Sequence, residues 1–331
     1  MYELTKTLFR IEMDANDILL NHIFDSELLK TFTERPVQSE KISRVYGDLA
    51  FPKAPENRPY VYGSFITTID GKIAFPDARD SALLQHNNFL DGTHGKAPFF
   101  VFMLQRACAD AIIAGAGTMR EEPNMTMHLM DVDLEQARID NNLPPVPLNI
   151  ISTLDGTDLD FNHLIFTKDE VPKMINTSPA GYEIVKQQMK QPHYLIGPFA
   201  SMDDVHLDAL RQNMAEHTGL IPVVVTGSGA QTDSHILFYI LKHLGVERLL
   251  IETPAYTHHL LEEQLIDELF LNYACMYIGG NAMAIGLRQQ PFTSTHHPHS
   301  RMLSIVNAQK SPENWFCMRH QMVYNVDAPV G

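Results

Sequence analysis

Two glycine-rich turns follow apolar runs that read as strands: Gly115-Ala116-Gly117-Thr118 and Gly227-Ser228-Gly229-Ala230. Backbone N–H groups in such turns can hold phosphate, and ligands of open α/β sheets bind beyond the carboxyl ends of strands. Neither turn completes G-x-G-x-x-G, because position 120 is Arg and position 232 is Thr. Each turn taken alone therefore reads first as a plain connection and second as a phosphate site. Glu252 ends the strand pattern Arg248 to Ile251, at the edge where a carboxylate serves either a ligand or only the surface. Arg106 lies near the end of an apolar helical run, and its spacing reads as a snorkelling surface arginine. Asp70 before Gly71 reads as a turn residue.

Other chemistries lack their residues. There is no nucleophile elbow G-x-S-x-G and no P-loop. The H-x-E and P-C-x-x-C elements of zinc nucleobase deaminases are missing, as is any CxxC or HxxxH pair. Thr295-His296-His297-Pro298-His299 reads as a loop, and no metal site is expected.

These residues need a scaffold of alternating elements. Tyr60 to Ile66, Ala111 to Ala114, Leu148 to Ile151, Lys173 to Asn176, His193 to Ile196, Pro222 to Val225, Arg248 to Ile251 and Glu268 to Tyr277 read as strands. Helical patterns fall at 97–109, 181–190, 203–217, 234–244 and 256–265, and 301–308 with 315–325 read as a closing antiparallel pair. This alternation predicts an α/β, mostly parallel sheet with helices on both faces. Ahead of it, 14–32 places apolar residues at helical spacing, with Asp14 or Asn16 as cap, and Pro-rich 52–59 reads as a linker. The expected organisation is a helical appendage and linker over 1–57 and an α/β domain over 58–326.

The 331 residues are enough to bury a full core without disulfides. Apolar residues are 44% and charged residues 20%, a globular balance that excludes wholesale disorder. The formal charge of −15 argues against nucleic acid or an anionic membrane as main partner. Three dispersed cysteines, with no signal-peptide or membrane-span pattern, suggest a reducing, cytoplasmic setting.

Several segments in order resemble the pyrimidine reductase family of riboflavin biosynthesis, whose fold is similar to dihydrofolate reductase. Thr67-Thr68-Ile69-Asp70-Gly71-Lys72 resembles its "S-L-D-G-K". Leu104-Gln105-Arg106-Ala107, with Ala109-Asp110-Ala111-Ile112-Ile113-Ala114-Gly115-Ala116-Gly117-Thr118, is similar to "L-R-A-x-A-D-A-I-x-x-G-x-x-T-V". Glu121-Glu122-Pro123-Asn124-Met125-Thr126 looks like "D-D-P-x-L-T", and Leu265 to Leu269 like "L-V-D-E-L". The resemblance covers about 57–325 and leaves 180–222 as an apparent insertion.

The resemblance implies a homodimer that uses NADPH to deliver hydride to the ribosyl C1′ of a small phosphorylated substrate. It implies Thr68, Asp70, Gly115, Gly117, Thr118, Thr177 and Ser178 beside the cofactor. Ser81, Arg106, Met125, His128 and Glu252 would meet the substrate, with Asp70 and Glu252 as the catalytic carboxylates. Two departures stand out. The family's "E-G-G-P" is Glu252-Thr253-Pro254-Ala255 here, which removes two glycines and, at Pro254, one N–H donor. His128 stands where many members carry arginine. The alternatives are a reductase of another small substrate on the same fold and a binding protein that has lost hydride transfer.

Overall fold

Short apolar runs become strands throughout the chain, and the central ones are buried on both faces. The computed structural model describes every residue except 1, 81, 288, 325 and 327–331. In chain order the elements are β1 (Leu20–Asp25), α1 (Glu40–Val45), β2 (Tyr60–Thr68), α2 (Ala82–His86), α3 (Lys96–Cys108), β3 (Ala111–Gly115), α4 (Ala116–Glu121), α5 (Val132–Asp140), β4 (Leu148–Ser152), α6 (Leu164–Thr167), β5 (Lys173–Thr177), α7 (Pro179–Gln188), β6 (His193–Phe199), α8 (Leu207–Glu216), β7 (Ile221–Thr226), α9 (Ser234–His243), β8 (Arg248–Ile251), α10 (Pro254–Glu262), β9 (Glu268–Ala274), β10 (His299–Ala308) and β11 (Ser311–Val323).

The strands form one 11-stranded sheet in the order β1-β10-β11-β9-β2-β8-β3-β4-β5-β7-β6. From β9 through to β6 every neighbouring pair is parallel. β11, β10 and β1 extend the other side antiparallel. Parallel neighbours need crossovers, and the crossover helices cover both faces. Ile112 joins the core that holds Phe100 and Leu104 of α3, whereas Ile113 joins the core of Leu237 and Leu241 of α9. Adjacent residues of one strand thus point into opposite layers, as a period of two requires. The dihydrofolate-reductase-like α/β class expected from the sequence is the class observed.

The stretch 14–32 corrects the helix expectation. It is β1 between two 3-10 turns, Ala15–Asp17 and Glu27–Thr31, capped by the side chains of Asp14 and Ser26. β1 pairs with β10, and Asn21 Nδ2 donates to Asn307 Oδ1 at 3.0 Å. An open sheet edge supplies backbone partners all along a strand, and that pairing overrides a modest helical preference. Residues 52–59 carry no helix or strand. Residues 180–222 contribute most of α7, together with β6 and α8, and β6 is the edge strand opposite β1.

Candidate active site

All parallel strands present their carboxyl ends on one edge of the sheet, so the turns after β2, β3, β5 and β8 share that edge. A nearly buried ion pair lies there. Arg106 Nε and Nη2 donate to Glu252 Oε1 and Oε2, both at 2.7 Å. The side chains are only 1% and 7% exposed. Arg106 Nη1 donates to the His128 carbonyl at 3.1 Å and more weakly to that of Thr126 at 3.4 Å, while Nη2 lies 3.9 Å from Met125 Sδ. The guanidinium carbon lies 4.8 Å from the centre of the Phe102 ring. The surface reading of Arg106 is therefore wrong: a partner far along the chain takes it inward. Its donors are held by protein acceptors, and one guanidinium anchors both the end of β8 and the 125–128 loop.

His128 is likewise turned to protein. Its Nε2 lies 2.7 Å from the Phe9 carbonyl, which can only accept, so Nε2 carries the hydrogen. Nδ1 then accepts from the Thr126 hydroxyl at 2.6 Å. Burial, aided by the positive charge of Arg106, holds the imidazole pKa below its ordinary value, against the opposing hydrogen bond to Phe9. A neutral imidazole bonded at both nitrogens carries no charge to offer an oxyanion.

Asp70 staples two loops. It accepts from Thr68 Oγ1 at 2.5 Å, from Gly279 N at 2.7 Å and from Ile278 N at 3.3 Å. The Thr68 hydroxyl, with the two backbone donors, holds its pKa below the usual carboxylate value. Thr68 is fully buried, and its oxygen also accepts from Lys72 N at 3.0 Å.

The Gly115–Thr118 turn joins β3 to α4. A Cβ on Gly115 would come 3.1 Å from Thr253 Cγ2, so the turns after β3 and β8 pack directly together. At Gly117 the space is open, and Thr118 makes no side-chain hydrogen bond among the described residues. Thr253 precedes Pro254 at the start of α10, and its Oγ1 is buried without a hydrogen-bond partner. An open glycine turn beside an orphaned hydroxyl suits a ligand rich in phosphate oxygens.

Thr177 and Ser178 are bonded within the protein. Both are fully buried. Ser178 Oγ donates to the Leu154 carbonyl at 2.7 Å and accepts from Gly181 N at 3.0 Å, which caps α7. Thr177 Oγ1 leans on the same carbonyl at 3.4 Å. The second glycine turn is a connection: Gly227 has φ +81°, and the Gly229 carbonyl accepts from Ala180 N at 2.9 Å. Ser81 lies outside the described residues. Residue type gives no signal for the Phe9 contact, which lies in a segment without a motif, and Thr253 enters the sequence reading only as a lost glycine, not as a hydroxyl.

Among the described residues no cluster of His, Cys, Asp or Glu could hold a metal, and no helix is long and apolar enough to cross a membrane. Cys108 and Cys317 are buried, which pushes both thiols up to about 12.

Residues 59–311 match the RibD C-terminal domain. No curated protein sequence matches the chain. Among solved structures it is similar to a pyrimidine reductase-like protein of Corynebacterium diphtheriae, at 16% identity and TM-score 0.54 over 86% of this chain and 98% of that one. It is also similar to RibD of Acinetobacter baumannii, at 17% identity and TM-score 0.51 over 81% of this chain and 59% of that one. A third is a Thermotoga maritima diaminohydroxyphosphoribosylaminopyrimidine deaminase/5-amino-6-(5-phosphoribosylamino)uracil reductase, at 15% identity and TM-score 0.52, with 81% and 58% covered. At such identities the likeness is one of fold. The match spans less than two thirds of the length of the Acinetobacter and Thermotoga chains.

Proposed function

The chain belongs to the RibD C-terminal domain family, and from that membership we propose that it is an NADPH-dependent reductase of the phosphoribosylaminopyrimidine of riboflavin biosynthesis. One observation supports this above the others: the turns after the adjoining strands β8 and β3 pack together, so the Arg106–Glu252 pair and the open Gly115–Thr118 turn share one carboxyl edge. When bound, NADPH supplies the hydride, here to C1′ of the ring-opened imine, so the protein's work is to bind, orient and keep out water. Gly115, Gly117 and Thr118, with the Thr253 hydroxyl, are the residues suited to the cofactor's phosphates. Asp70 and Thr68 hold the β2 turn against the 276–280 loop and so shape that side of the cleft. Glu252, fixed by Arg106 in one orientation, presents its remaining lone pairs to polar N–H groups of the substrate.

One observation favours the alternative of another small substrate. Arg106 and His128, the groups the resemblance assigns to the substrate, are both bonded within the protein.

The test is a calorimetric titration with NADPH and NADH, followed by turnover of the pyrimidine. NADPH binding with turnover supports the first reading. Binding without turnover moves the reading to a different substrate. Failure of both nucleotides at about 1 mM, the upper end of common KM values, sinks the reductase reading.

A further inference from the structure

We propose that Arg79 and Arg120 form a phosphate-binding site over the Gly115–Thr118 turn. Its place in the cleft rests on the reductase reading, but its chemistry does not. Arg79 lies in the loop ahead of α2 and Arg120 in α4, yet both converge on one carboxylate. Arg79 Nη1 and Arg120 Nε each lie 3.6 Å from Glu121 Oε1. Two guanidiniums thus share the one carboxylate of Glu121, with Glu122 beside it in sequence, in a chain whose formal charge is −15.

Both guanidiniums are available. The arginine side chains are 44% and 64% exposed. Both contacts are longer than the ~2.7–2.9 Å of charge-assisted hydrogen bonds, and exposed pairs of this kind hold weakly, so an incoming anion displaces Glu121 with little loss. Asp77 and Asp80 flank Arg79 in sequence, but neither pairs with either arginine among the described residues, and Asp80 accepts from Ala82 N at 2.8 Å.

The site is also correctly placed. Arg120 Nη2 lies 3.9 Å from where a Cβ on Gly117 would sit, and apart from the turn's own backbone and chain neighbours no other group comes within 4 Å of that point. The guanidinium therefore borders the open side of the turn. Three other groups that could have met a phosphate are held within the protein: Arg106 by Glu252, His128 by Phe9, and Ser178 by Leu154. Two planar forks from separate elements can approach one tetrahedral oxyanion from two directions. The group bound is a phosphate ester, carried either by the substrate or by the dinucleotide.

The experiment is isothermal titration of the full chain with NADPH, NADH and ribose 5-phosphate. It compares wild type with Arg79→Gln/Arg120→Gln and with Glu121→Gln, with circular dichroism checking that these surface variants are folded. The double variant is expected to bind at least one probe about tenfold more weakly, and Glu121→Gln to bind it severalfold more tightly. Loss for NADPH but not NADH assigns the site to the 2′-phosphate. Loss for both assigns it to the pyrophosphate, and loss for ribose 5-phosphate alone to the substrate. Unchanged affinity of the double variant for all three overturns the proposal, as does a wild type that binds none. Arginine-dependent binding of ribose 5-phosphate without either nucleotide would keep this site and sink the reductase reading. Pyrimidine turnover and binding both unaltered in the double variant would do the reverse.

Discussion

Two buried arginine–glutamate pairs sit at opposite ends of the parallel strands, and they are built differently. At the amino end Arg319 of β11 donates to Glu268 of β9, with Nε to Oε2 at 2.7 Å and Nη2 to Oε1 at 3.1 Å. Tyr60 donates to the same carboxylate at 2.6 Å, and Arg319 also bonds the Ala50 carbonyl at 2.8 Å. The rings of Phe32, Phe51 and Phe270 surround the guanidinium carbon at 4.9–5.4 Å. Nothing in that cage opens outward: Glu268 is 0% exposed, and burial raises its pKa against the pull of Arg319. At the carboxyl end Arg106 and Glu252 make the same bidentate pair, but a single ring, Phe102, lies against the guanidinium, and two loops border the pair, one hung from the guanidinium and one leading into α10. A salt bridge closed on every side ties elements together. One that borders turns can also present its carboxylate to a ligand.

The largest effect expected separates the two by stability. Arg319→Met strands a carboxylate in an aromatic cage and should cost about 3–5 kcal/mol in urea unfolding, the range for breaking a buried pair. Arg106→Met should cost less, about 2 kcal/mol, because water at the edge can take over part of the task of solvating Glu252. Equal losses would break the comparison.

Activity should show the opposite order. Glu252→Gln is expected to lower kcat/KM for the pyrimidine by about 10²-fold, the lower end for a positioned acid–base or charged group, while leaving NADPH affinity within about twofold. Glu268→Gln should leave kcat/KM of the folded enzyme near wild type. A Glu268 variant as inactive as the Glu252 variant would refute the division of labour between the two ends.

The contrast also explains what could be read in the sequence. Strands β3, β4, β7 and β8 were legible because a short apolar run flanked by turn residues has few other fates in an α/β chain. The glycine turn and the carboxylate after β8 were legible because the end of a parallel strand has a known place. Arg106 was not, since its partner lies 146 residues away and helical spacing alone sends an arginine outward. The partner of His128 is 119 residues away, in a segment without motif. The 14–32 stretch reads as a helix until β10 is beside it. In each case local pattern reported the element, and a distant partner decided where the side chain went.

A smaller effect tests the neutral state of His128. Burial lowers its pKa from the ordinary 6.5 in the folded chain. As the pH falls through that ordinary value, the unfolded chain takes up a proton that the folded chain refuses, so stability must fall with pH until the lowered folded value is reached. The slope cannot exceed about 1.4 kcal/mol per pH unit. His128→Gln keeps a donor for the Phe9 carbonyl and removes this component. Burial also lowers His320, and Glu263 raises His259, but both persist in the variant and cancel in the difference. Parallel slopes for wild type and variant would show that His128 is not held neutral and that the edge around Arg106 is wetter than the structure shows.

The smallest effect asks whether enclosure at the carboxyl edge always marks structure. Ser178 sits at the end of β5 with its hydroxyl between the Leu154 carbonyl and Gly181 N. A Cβ on Gly181 would come 2.5 Å from the Leu154 carbonyl, so α7 presses against this loop and leaves no gap for a ligand oxygen. If the hydroxyl is only a cap, Ser178→Ala should cost about 1 kcal/mol in urea unfolding and leave the ratio of NADPH to NADH affinity unchanged. A ratio that collapses toward one would mean that the segment opens to admit the 2′-phosphate. The carboxyl edge would then be more plastic than the aromatic cage at the other end, and enclosure there would no longer separate a cap from a ligand.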